Sequence, residues 1–164
     1  MNALLEKLHL TEGEKGVLLA AIVVAVFGAG VAHSVVGQLG GGLRIIRSLS
    51  NYDIWIIVSG AIGSVIGLYI GRNWFGHAGL AGWRKAIIGI GITTFASAIC
   101  SGTLALPFYG TMFGPFSVVM TFIGNPLLAV FWVSILLAAH ALIVDWRNER
   151  DSIFRVSPND KALT

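Results

Sequence analysis

The sequence predicts an all-α integral membrane protein: four transmembrane helices in a bundle, short interfacial helices, and a Pro/aromatic connection between helices 3 and 4. Three observations predict it. No charged residue occurs between Lys85 and Asp145. That run is too long for one core helix and matches two spans of about 20 residues each, joined by an apolar connection. The chain of 164 residues is 55% hydrophobic and 12% charged, with mean hydropathy +0.81, whereas a soluble domain carries about a quarter charged residues. Two further apolar stretches, 16–37 and 54–71, precede the uncharged run.

The remaining composition bounds the class. A net charge of +3 comes from segments flanking the apolar stretches, so it reports membrane topology and not nucleic-acid binding. Cys100 is the only cysteine, which leaves no disulfide framework and no cysteine metal cluster. One transmembrane domain, 16–146, is expected between an amphipathic segment at 1–15 and a tail at 147–164.

In residues 1–15, Leu4, Leu5 and Leu8 share a helical face opposite Glu6 and Lys7, the pattern of a helix lying on a membrane surface. Thr11 and Glu14 have the spacing of a capping box that opens a new helix. A cleaved signal peptide fits poorly, because Glu6, Glu12 and Glu14 precede the apolar run. The first span, 16–37, carries a small-residue stripe at Ala21, Ala25 and Ala29, continued by His33. After Gly40, Gly41 and Gly42, LRIIRSLS predicts a short interfacial helix. The second span, 54–71, carries Gly63, Gly67 and Gly71 at steps of four, a ridge that lets another helix approach closely in lipid. In the loop that follows, Trp74 and Trp83 are expected as interfacial anchors.

The third span, 86–106, has Gly89, Thr93, Ser97 and Ser101 on one stripe. Gly110, Gly114 and Pro115 then predict non-helical chain, with at most two turns of helix from Ser117. The fourth span, 125–144, has Pro126 near its first turn and runs on into a polar helix with i,i+4 pairs Arg147–Asp151 and Asp151–Arg155. Lys7, Lys15, Arg72, Arg84, Lys85, Arg147, Arg150, Arg155 and Lys161 fall on one side of a four-span topology, against Arg44 and Arg47 on the other. That bias places both termini in the cytoplasm of a cell bearing the protein in its inner (plasma) membrane.

Chemistry is sparse. His33 and His140 are the ionisable residues inside spans, and such residues are functional candidates. At 1.5 Å per residue they lie about 18 Å apart along the membrane normal, too far for one haem to bridge. No span contains an acidic residue, which weakens a proton-coupled carboxylate relay. No metal spacing, carboxylate pair or nucleophilic triad is found, so neither enzyme activity nor a cofactor is expected. Ile92-Thr93-Thr94-Phe95-Ala96-Ser97 resembles the TTFS element of the four-helix fluoride channels. The arginine signature of their first helix and the asparagine of their second have no counterpart here, and no residue role is carried over.

Two readings follow. The first is a non-enzymatic accessory, scaffolding or assembly subunit, packing through Gly63, Gly67, Gly71, Gly89 and Ser97 against other membrane-protein subunits or a second copy of itself. The second is a small channel or carrier with a site between helix 3 and the 107–126 connection. His33, Ser101, Tyr109, Thr111 and His140 are the candidate ligand or partner residues.

Overall fold

Helices account for all regular structure among the described residues, which in this computed structural model are 11–39 and 49–153. Residues 1–10 of the amphipathic segment, most of LRIIRSLS and residues 154–164 of the tail lie outside them. The helices are α1 (Glu12–Leu39), α2 (Asn51–Gly71), α3 (Gly79–Ala105), α4 (Gly110–Gly124) and α5 (Pro126–Ile153). A single 3-10 turn, Arg72–Trp74, follows α2. Four of the five, α1, α2, α3 and α5, are long and apolar enough to cross a membrane. The expected four-span pattern is therefore present, and α4 is a shorter apolar helix inside the connection.

Local chemistry sets the helix starts. Thr11 N–H donates to Glu14 Oε2 at 3.0 Å and Glu14 N–H to Thr11 Oγ1 at 3.3 Å, so the capping box opens α1 at Glu12, a turn before the expected Gly16. Ser50 and Asp53 form a second box at the head of α2. That S-x-x-D pattern is also in the sequence, and it starts α2 at Asn51 instead of 54. Gly79 begins α3 well before Ala86, so half of the expected loop is helix. At the far end Asp151 meets Arg150 at 3.4 Å. The predicted Arg147–Asp151 pair does not form, because Arg147 turns toward the α2–α3 connection.

The connection departs most from expectation. Helix α4 begins at Gly110, not Ser117, and runs through Pro115. Proline removes one backbone donor and crowds the carbonyl four residues back. Packing outweighs that cost. Gly102 of α3 and Gly110 of α4 meet backbone to backbone, and a Cβ on Gly102 would lie 2.9 Å from the Gly114 Cα. Residues that locally discourage helix are the ones that let α4 lie flat on α3.

Glycine contacts also set the other seams. Helix α1 packs on α2 and α5, α2 on α1 and α3, and α3 on α2 and α4, while α3 and α5 touch sparsely. Helices in lipid gain little from burying apolar surface against each other, so close packing of small residues dominates. A Cβ on Gly28 would lie 2.7 Å from the Gly60 carbonyl oxygen, and one on Gly60 2.8 Å from that of Gly28. The buried stripe of α1 is Ala20, Val24, Gly28, Val31 and Ala32, one residue out of register with the predicted Ala21, Ala25 and Ala29. Phe75, fully buried, plugs the end of α2 against Gly89, where a Cβ would sit 3.2 Å from the ring.

Candidate functional site

The hydroxyl stripe of α3 fits into the glycine ridge of α2. Thr93, Ser97 and Ser101 place their side-chain oxygens where Gly71, Gly67 and Gly63, respectively, would carry a Cβ. The residues singled out for helix packing thus meet within one chain, and Gly89 packs on Phe75 and Trp74 nearby. Ser101 Oγ donates to the Ser97 carbonyl at 2.7 Å, the ordinary refuge for a helical serine. Ser59, Thr93 and Ser97 have buried hydroxyls with no partner. A buried hydroxyl without a hydrogen bond costs about 1–3 kcal/mol. Ser97, 6% exposed, is the one of the three that lines a cavity.

That cavity, of about 140 Å³, lies among α1, α2, α3 and α4 toward the ends marked by Ala105 and Gly110. Its walls are mainly apolar, with Val31, Val35, Ile56, Ala98, Val118 and Phe122 beside the hydroxyl-bearing Ser64, Ser97, Ser101 and Ser117. Ser64 Oγ is bonded to the Val24 and Ala61 carbonyls at 3.1 and 2.8 Å, linking α1 to α2 behind the cavity. Gly28, Gly60, Gly102, Gly110 and Gly114 also line it, at the seams where the helix backbones approach most closely.

Trp132 is the residue of α5 that borders both this cavity and a second apolar groove. The groove lies among α3, α4 and α5, with Gly91, Phe95, Val119 and Val133 on its walls. Thr94, Ala98, Val118, Phe122 and Trp132 border both spaces. Trp132 Nε1–H donates to Thr94 Oγ1 at 2.8 Å, and that hydroxyl donates onward to the Ile90 carbonyl at 2.8 Å. The indole is thereby fixed. Trp132 does not stand out in the sequence and Thr94 does so only within the TTFS-like element, because the pair meets only through the α3–α5 register.

The remaining candidates fall in separate places. Ser101 lines the cavity. Thr111 lies beside it on α4, its hydroxyl 3.0 Å from that of Thr103. Tyr109 is 76% exposed and follows Phe108, which is 94% exposed and held at φ 74°, a rare conformation for a bulky residue. His33 is partly buried on α1 and does not border the cavity.

His140 is at the opposite end, 6% exposed, accepting the Gly76 N–H at its Nδ1 at 3.1 Å. An accepting Nδ1 puts the imidazole proton on Nε2. Phe75 and Trp83 stand 6.1 and 6.2 Å from its ring. Gly76, at φ +77°, makes the turn that presents this N–H. His140 thus ties α5 to the α2–α3 connection. Among the described residues no three His, Cys, Asp or Glu side chains gather as a metal would require. Comparison with protein-family models, characterised proteins and solved structures finds no match for this chain.

Proposed function

We propose that the protein is a multi-pass four-helix bundle of the cell membrane, both termini cytoplasmic, that binds a small amphiphile between α3 and the 107–126 connection and acts as a small carrier. It is read as non-enzymatic. The observation that carries this reading is the mainly apolar cavity of about 140 Å³ between α3 and α4, with the hydroxyl-bearing Ser64, Ser97, Ser101 and Ser117 among its lining residues. An apolar protein cavity of roughly 150 Å³ is enough to hold a benzene-sized body. The accessory-subunit reading drew on the glycine ridges, and these are engaged within the chain. It keeps support from the exposed aromatic and sulfur side chains of Phe108, Tyr109, Met112, Phe113 and Phe116, which suit either a partner surface or an interfacial anchor.

The test is gentle detergent extraction of the wild type and of Val35→Phe, which fills the cavity from α1, followed by mass spectrometry of bound small molecules and proteins. A small amphiphile held by the wild type and missing from Val35→Phe is the expected result. Equal small-molecule content in both, with a protein partner retained by both, would replace the carrier with the accessory subunit.

A further inference from the structure

The end of the helices opposite the cavity carries a charge arrangement that the carrier reading does not use. Arg147 of α5 leans across the α2–α3 connection. Its Nη2 donates to the Arg72 carbonyl at 3.2 Å, its Nη1 lies 3.4 Å from His77 Nε2, and its Nε is enclosed without a partner. His77 Nε2 is also 3.0 Å from the Asn73 carbonyl. A nitrogen that donates to a carbonyl has no lone pair left for a guanidinium, so only one of these two contacts is a hydrogen bond for a given tautomer. Arg147 is therefore a half-buried cation with one uncontested acceptor, the Arg72 carbonyl.

No carboxylate pairs with it among the described residues, and Asp151 acts on it only from a distance. Of the acids of α5, Glu149 accepts the Gly13 N–H, Asp145 lines a groove shared with Glu12 of α1, and Asp151 pairs with Arg150. Along α5 Asp145 and Glu149 border the groove against α1, while Arg147 points to the α2–α3 connection, where His77, His140 and Arg72 add positive or proton-bearing groups. Among the described residues Arg147 makes no ion pair. A guanidinium fork beside an imidazole, at the end of the helices where basic residues collect, has the chemistry of a phosphate site.

We propose that Arg147 and His77 bind a phosphate ester, supplied by an anionic lipid headgroup in the adjoining leaflet. Basic pockets between transmembrane helices recognise such headgroups. The site is separate from the cavity, so it stands or falls without the carrier reading.

The experiment uses the full-length protein in neutral detergent, with thermal unfolding followed as phosphatidylglycerol or phosphatidylcholine is added in mixed micelles. Phosphatidylglycerol should raise the midpoint saturably and phosphatidylcholine should not. Arg147→Gln should weaken the response by about tenfold, the loss of one charge-assisted hydrogen bond. Arg150→Gln should respond as the wild type. If Arg147→Gln does not fold, Arg147→Lys replaces it, and a weaker response is expected because an ammonium lacks the fork. Soluble glycerol phosphate distinguishes the source: competition at similar concentrations assigns a free phosphate ester, and its absence assigns the lipid. A wild type indifferent to phosphatidylglycerol and glycerol phosphate overturns the proposal. So does a loss in Arg150→Gln equal to that in the Arg147 variant.

Discussion

Glu149 near the end of α5 accepts the backbone N–H of Gly13 at the start of α1, Oε2 to N 2.6 Å, and lies 3.5 Å from the Thr11 hydroxyl. The last helix thus caps the first. The Gly13 N–H is one of the donors a helix leaves unpaired at its amino end, and a carboxylate there also meets the positive end of the helix dipole. Gly13 permits the approach, since a Cβ would lie 2.9 Å from the Trp146 Cα.

Removing this cap should loosen α1 from α5. Glu149→Ala is expected to cost about 1 kcal/mol, in the range of a lost helix cap, and Glu149→Gln less, because an acceptor remains. Detergent unfolding curves of the two variants check the order. Equal stability of Glu149→Ala and wild type would show that water replaces the carboxylate without loss.

Glycines of identical composition should respond in opposite directions. A Cβ at Gly67 would lie 2.7 Å from both the Ser97 amide and the Thr93 carbonyl, which are backbone atoms and cannot swing away. Gly67→Ala should therefore push α2 from α3 and lower stability, and Gly67→Ile more so. Gly30 has nothing within 4 Å of its Cβ position, so Gly30→Ala should be neutral or stabilise by about 0.5–1 kcal/mol through helix propensity. Melting of the pair in one detergent decides it.

Trp132 offers a graded test at the border of the two spaces. Trp132→Phe keeps a ring but loses the bond to Thr94, expected to cost about 1 kcal/mol. Trp132→Ala also removes the ring that borders the cavity and the α3–α5 groove and should cost about 3–5 kcal/mol, as large-to-small core changes do. An equal loss for both would mean that the hydrogen bond, not the ring, holds the wall.

Orientation is checked by fusion and labelling. A reporter active only in the cytoplasm should work near Gly79 and fail at Thr111. A cysteine at Thr111, in a Cys100→Ser background, should react with an impermeant thiol reagent from outside the cell. Thr111 is exposed, so absence of labelling from either side would point to burial in lipid.

How far the sequence discloses this structure depends on the range of the interactions. The four spans are legible because uncharged length is a local property, and the ridge of Gly63, Gly67 and Gly71 because its repeat matches a helical turn. The capping residues Thr11 and Glu14 act within one turn and are legible too. Helix α4 is not, since Gly110, Gly114 and Pro115 discourage helix until Gly102 provides a surface that only small residues can approach. The one-residue offset of the α1 stripe has the same origin: Gly28 and Ala29 are both small, and the partner Gly60 chooses between them. The cavity wall is still less legible, because Trp132 and Thr94 are far apart in sequence and meet only when α5 is in place. His140 was visible as an ionisable residue in a span, but its partner, a backbone N–H released by the Gly76 turn, was not.

The glycine contact between α3 and α4 bears on how the chain enters its bilayer. Helix α4 has 15 residues and is about 22 Å long, short of the roughly 30 Å hydrocarbon layer. It cannot be threaded across as an independent segment. Gly102, Gly110 and Gly114 are close in sequence, so α3 and α4 can close into a hairpin without contacts from α5. Insertion of the carboxy-terminal half then involves a paired unit, α3 with α4, and a single long helix, α5.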